Sequence, residues 1–146
     1  MIDERHKAIS HRLKSLAIID GFLDGQTFEL ADGLNCIIGA RGTGKTTVLE
    51  FVRYALGEMP GDNAASRRIE SLVEKNLEGG RIQLGIETKD GLSCIISRSA
   101  GDDPIVLTGD GKLTDITLRT GGFFRRTSTA RTRWRALPTA RFPSLT

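Results

Sequence analysis

One run of residues carries the most specific chemistry in the chain: Gly39-Ala40-Arg41-Gly42-Thr43-Gly44-Lys45-Thr46, which fits G-x-x-x-x-G-K-[ST] at every fixed position. Glycines at those offsets let the backbone curl until successive N–H groups converge on an anion with no Cβ in the way. A helix starting at the end of the loop points its unpaired N–H donors and partial positive charge at the same place. A lysine at position 45 reaches the β- and γ-phosphates of a bound nucleotide. The Thr46 hydroxyl is suited to Mg²⁺, and Thr47 adds a hydroxyl near the α-phosphate. Residues 39–47 are therefore the expected phosphate site, with Thr46 as its metal ligand. A glycine-rich turn that merely joins two elements has no need of the lysine and hydroxyl at these offsets.

Such a loop works only between a strand and a helix, and the flanking pattern supplies both. Leu34–Ile38 (LNCII) is nearly all apolar and reads as a strand buried on both faces. After the loop, Val48, Leu49, Val52, Ala55 and Leu56 recur at helical spacing, with Gly57 as C-cap. Upstream, Arg12–Asp20 and Gln26–Leu30 read as strands around the turn Gly21–Gly25. Downstream of a loop at Met59–Ala65, Ser66–Glu78 places Ile69, Leu72, Val73 and Leu77 on one helical face, ended by Gly79-Gly80. From Arg81 the period changes to two. Ile82, Leu84 and Ile86, the turn at Lys89-Asp90-Gly91 and Ser93–Arg98 form one hairpin; Ile105–Leu107 and Leu113–Leu118 form a second around Gly109–Gly111. The expected class is α/β: a central strand–loop–helix unit, a flanking antiparallel β-subdomain and an incomplete sheet.

The chain has 146 residues, 38% hydrophobic and 27% charged, a globular balance. No apolar run reaches the roughly 18–20 residues of a membrane span, and the charged N-terminus has no apolar stretch of the signal-peptide kind. Cys36 and Cys94 sit in apolar runs and read as reduced core thiols, which suits a cytoplasmic protein. The net charge of +3 is split unevenly: residues 1–124 hold 15 Lys and Arg against 18 acids, and residues 125–146 hold six Arg and no acid. A uniformly basic nucleic-acid-binding domain is excluded by that split. The expected organisation is a lead-in at 1–11, a domain at 12–124 and an Arg-rich tail at 125–146. The tail has three readings: a basic arm for nucleic-acid phosphates with Trp134 for stacking, a disordered segment with no site, or the product of a shifted reading frame.

The strand at Arg12–Asp20, the short strand with Phe28, and GLNCIIGARGTGKTTVLEFVRYALG at Gly33–Gly57 resemble the N-terminal lobe of Rad50/SMC-type ATPases, a branch of the ABC-ATPase class. The chain departs from that pattern at Arg41, where the family commonly has Asn. The resemblance implies ATP and Mg²⁺ as ligands, DNA as a partner of the full-length form, and head-to-head pairing of two such domains. It also implies an Asp-Glu pair after an apolar strand and a Ser-Gly signature, and neither occurs in these 146 residues. On this reading the chain is the first part of a head domain, with no complete catalytic set of its own.

The remaining candidates read as structural. His6 and His11 lie far from any Cys or acidic cluster, Cys36 has no partner His, Arg67 and Arg68 suit the solvated face of a helix, and Asp102-Asp103 before Pro104 suits a turn. Two other functions share the loop: a non-catalytic nucleotide-binding interaction module with a basic tail, and a small GTPase or kinase. Against a GTPase, no N-K-x-D guanine-reading motif occurs. GTP is accordingly expected to compete for the loop no better than ATP does. Competition binding against labelled ATP checks this, and a clear preference for GTP would reinstate the GTPase reading.

Overall fold

The computed structural model of the chain describes residues 11–114, 116–119 and 122–126. In chain order the elements are β1 (Arg12–Ile19), β2 (Thr27–Glu29), α1 (Lys45–Leu56), α2 (Asn63–Leu77), β3 (Arg81–Glu87), β4 (Ser93–Ser99), β5 (Ile105–Thr108), β6 (Ile116–Arg119) and β7 (Gly122–Arg126). The expectations for the lead-in up to residue 10, His6 included, and for the tail from residue 127, Trp134 included, fall outside the described residues.

Strands β2-β1-β3-β4-β5 form one antiparallel sheet in that order, and β6-β7 form a separate hairpin. Register puts the apolar side chains in rows across the large sheet: Phe28 opposite Leu16, Leu16 opposite Leu84, Leu84 opposite Ile96, and Ile96 opposite Val106. With a side-chain period of two, these rows share one face. Both helices cover it: Val48, Phe51, Tyr54 and Ala55 of α1, and Ile69, Val73 and Leu77 of α2, are buried with Leu16, Ile18, Ile82, Leu84, Ile86 and Cys94 in a single core. Burial also pushes the Cys94 thiol pKa upward, in keeping with an inert core thiol.

Both helices are bounded by local chemistry. Asp62 accepts from the backbone N–H groups of Ala64 and Ala65, so α2 begins at Asn63, three residues before the apolar periodicity begins at Ser66. α1 ends at Gly57, whose left-handed backbone lets its N–H donate to Tyr54 O while that of Glu58 donates to Arg53 O. Tyr54 also ties α1 to the sheet. Its hydroxyl donates to Ser99 O at 3.2 Å and accepts from Gly101 N at 3.0 Å. The Arg98 guanidinium lies 3.9 Å from the centre of the Tyr54 ring and adds a second donor to Tyr54 O at the helix end.

Two expectations are corrected. Leu34–Ile38 is not a strand, and Cys36 is exposed and not a core thiol. A strand exists only by pairing, and none of the strands among the described residues lies beside this run. Leu34 and Ile38 are therefore 90% and 92% exposed. The run opens in a turn instead: the Asn35 side chain accepts from Ala31 N and donates to Ala31 O and Gly33 O. The second hairpin is also rearranged. β5 pairs with β4, Leu113 makes an isolated bridge to Leu107, and β6 pairs with β7. β7 runs to Arg126, so the first two arginines of the basic segment lie in a paired strand.

Gly21 shows how tightly the turn after β1 is seated on α2. Its φ is +84°, and a Cβ there would lie 2.3 Å from Asn76 O. Gly25, in the same turn at φ +73°, has open space around the Cβ position. Gly21→Ala is expected to cost roughly 2–4 kcal/mol, combining backbone strain with a clash against immovable backbone. Gly25→Ala is expected to cost only about 1–2 kcal/mol, from strain alone. Urea denaturation of the two variants checks the difference.

Candidate functional site

The glycine-rich loop leads into α1, and the helix begins at Lys45 because Gly44 adopts φ +89°, closed to most other residues. No side chain caps this end of the helix. Among the described residues, none of the backbone N–H groups from Arg41 to Thr47 has an acceptor within the protein. A cluster of outward donors at a helix N-terminus is an anion-binding arrangement.

The loop is wound by its own side chains. Lys45 Nζ donates to Gly39 O at 2.7 Å and to Ala40 O at 2.6 Å, and Thr43 Oγ1 donates to Ala40 O at 2.9 Å. The lysine thus folds back across the mouth of the loop, and its positive charge rests on carbonyl dipoles. Two glycines are needed for this winding: a Cβ at Gly39 would lie 2.7 Å from Thr43 Oγ1, and one at Gly44 would lie 3.2 Å from Leu23 Cδ2. Thr46 is exposed on the first turn of α1, and Thr47 is half-buried beside it. Gly42 and Arg41 form the exposed tip.

The segment entering the loop is held electrostatically. Asp32 bridges two side chains of β1, with Arg12 Nη1 at 3.0 Å and Lys14 Nζ at 3.0 Å. The hydrogen bond from Lys14, which outweighs the opposing effect of desolvation and is joined by the charges of Arg12 and Lys14, holds the Asp32 carboxyl below its ordinary pKa.

The family model described as an AAA domain matches residues 13–133, most of the chain. The chain belongs to the AAA-domain family. Its curated relatives include the chromosome partition protein Smc of Desulfitobacterium hafniense, 33% identical over 63 residues, which are 42% of this chain and 5% of that protein. The DNA repair protein RAD50 of Saccharomyces cerevisiae is 30% identical over 80 residues, 52% of this chain and 6% of that protein. The matched stretches thus span about one-twentieth of these relatives. No solved structure matches the chain. The two helices on an antiparallel sheet are consistent with a partial P-loop NTPase lobe, and a Rad50/SMC-like AAA head fits both the family and the relatives.

The AAA domain keeps residues 39–47 together as one loop and helix start. The other candidates stay apart from it. His11 Nδ1 accepts from Lys89 N in the β3–β4 turn, and Arg67 and Arg68 are exposed on α2. The Asp102 carbonyl accepts from Arg98 Nε. Among the described residues, no three His, Cys, Asp or Glu gather into a metal cluster, and no helix is long and apolar enough to cross a membrane. Sequence reasoning missed the Tyr54–Arg98 contact and the Asp32 bridge. Both join residues at least 18 positions apart, which no local periodicity signals.

A carboxyl whose folded pKa is depressed adds stability above its unfolded pKa and loses it as pH falls through the folded value. Asp32→Asn should therefore lower the melting temperature of the AAA domain slightly at neutral pH, with the gap to wild type closing in acid as the native carboxylate protonates. Melting curves from neutral pH into the carboxylate range check this. A gap independent of pH would show that the Asp32 bridge does not contribute.

Proposed function

We propose that residues 39–47 bind ATP with Mg²⁺, and that this lobe is the N-terminal part of an ATPase whose full-length form acts on DNA. The observation that carries the reading is the loop itself: a G-x-x-x-x-G-K-[ST] sequence whose N–H donors, through Thr47, have no acceptor in the protein and whose lysine ammonium crosses its mouth.

The residues present fit the group. N–H groups from Arg41 to Thr47 would take phosphate oxygens. Lys45 would exchange its bonds to the carbonyls of Gly39 and Ala40 for charge-assisted bonds to phosphate. The exposed hydroxyl of Thr46 would hold Mg²⁺, which when bound neutralises charge between the phosphates. Thr47 would support the phosphate nearest the ribose. These groups bind and orient the triphosphate; none of them positions a water for attack. Turnover then falls to carboxylates outside this lobe, as the resemblance to Rad50/SMC heads implies. Similarity to the chromosome partition protein Smc and the DNA repair protein RAD50 supports a chromosome- or DNA-related role, and the resemblance to Rad50/SMC heads implies the pairing of two such domains.

Calorimetric titration of the chain with MgATP tests the reading. Lys45→Ala is expected to weaken binding by roughly 1.5–3 kcal/mol, the worth of a hydrogen bond to a charged group. Equal affinity in wild type and variant would refute it.

A further inference from the structure

Arg41 carries the one charge on the glycine-rich loop that nothing answers. The stretch Gly33–Leu49 holds two charged side chains, Arg41 and Lys45, and no Asp or Glu. The carboxylates at its borders are engaged elsewhere: Asp32 bridges Arg12 and Lys14 at 3.0 Å each, and Glu50 pairs with Arg53 at 3.3 Å. Lys45 spends its ammonium on Gly39 O and Ala40 O. Arg41 is exposed, and its guanidinium has no hydrogen-bond or ion-pair partner among the described residues. Its place is nonetheless fixed. Ala40 O accepts from Thr43 Oγ1 at 2.9 Å and from Lys45 Nζ at 2.6 Å, so the turn at Arg41-Gly42 is closed by bonds across it, with Gly42 at φ +83°. A cation without a counter-charge therefore stands on a wound turn directly after the two carbonyls that hold the lysine.

The loop has two ends for a polyphosphate. Thr47, on the first turn of α1, belongs to the phosphate nearest the ribose, whereas Lys45 Nζ lies at Gly39 and Ala40 and serves the far phosphates. Arg41 adjoins that far end. We propose that the Arg41 side chain binds the terminal phosphate of the nucleotide and makes the loop selective for nucleoside triphosphate over diphosphate, a role that rests on the phosphate-loop reading. A guanidinium offers a rigid fork of donors that matches phosphate oxygens, and it stays charged at every physiological pH. The asparagine common at this place in Rad50/SMC-type heads has an amide donor and no charge. Lysine bridging two phosphates keeps part of its contact when the last one is gone; an arginine on the last one loses all of it.

Two ligands separate this proposal from the reading beneath it: MgATP and MgADP, which differ by the terminal phosphate alone. Calorimetry on wild type, Arg41→Asn and Arg41→Lys reads both affinities. Each substitution leaves the backbone N–H of residue 41 in place and removes no contact within the protein. Arg41→Asn is expected to weaken MgATP about tenfold, the scale of one hydrogen bond to a charged group. MgADP affinity should stay within about twofold of wild type, so the preference for triphosphate falls about fivefold or more. Arg41→Lys is expected to lie between the two, since the charge remains and the fork is lost. Unchanged MgATP affinity in Arg41→Asn would overturn the proposal. An equal loss for both ligands would also overturn it, because the charge would then attract any polyphosphate without reading its last group. Wild-type protein that binds neither ligand would overturn the phosphate-loop reading itself, and the role of Arg41 with it.

Discussion

The burial of one face of α1 on the antiparallel sheet is the constraint on which the rest of the structure depends. Phe51 and Ala55 are fully enclosed, and Val48 and Tyr54 nearly so. Removing a side chain such as Phe51 from that interface would leave a void costing about 3–5 kcal/mol. With the helix so held, its two ends have fixed tasks. The N-terminal end presents unpaired N–H groups at Gly44–Thr47, and the C-terminal end is tied to β4 through Tyr54 and Arg98. An anion site built from backbone donors gains strength by being preorganised, because the donors need not be reoriented when charge arrives.

The loop itself balances two demands. Converging N–H groups attract anions, yet a lysine held among them with no partner would be a cost. Lys45 resolves this by donating to Gly39 O and Ala40 O, so the ammonium is satisfied while the N–H groups stay open. The basic character of the chain plays no part here, since the excess positive charge lies in residues 125–146 and the remainder is mildly acidic. Attraction for an anion at the loop would be local, from dipoles and one ammonium, and would not need a broad positive field.

The run Leu34–Ile38 shows the opposite situation. Its composition is that of a strand covered on both sides, and it leads directly into the phosphate loop, where such a strand belongs. Its side chains nonetheless face water, because β1 to β5 pair among themselves and offer it no place. Burial of apolar residues within a sheet requires hydrogen-bonding partners for their backbone first. Local turn chemistry at Asn35 therefore decides the conformation at the start of the run.

What the sequence by itself determined is everything whose cause is local. The phosphate loop is a matter of glycines, a lysine and hydroxyls at fixed offsets. The faces of α1 and α2 follow from 3.6-residue periodicity, and the β3–β4 hairpin from alternation around Asp90-Gly91. The start of α2 was set three residues too late, because the apolar periodicity begins at Ser66 while the Asp62 cap starts the helix at Asn63. Only the tertiary structure decided which elements meet. It placed Arg98 over Tyr54, set the turn at Phe22 beside Gly44, joined Asp32 to β1, paired β6 with β7, and left Leu34–Ile38 without a strand partner among the described residues. These outcomes depend on pairing and packing between segments far apart in the chain, and a residue's own propensity carries no information about the partner that will satisfy it.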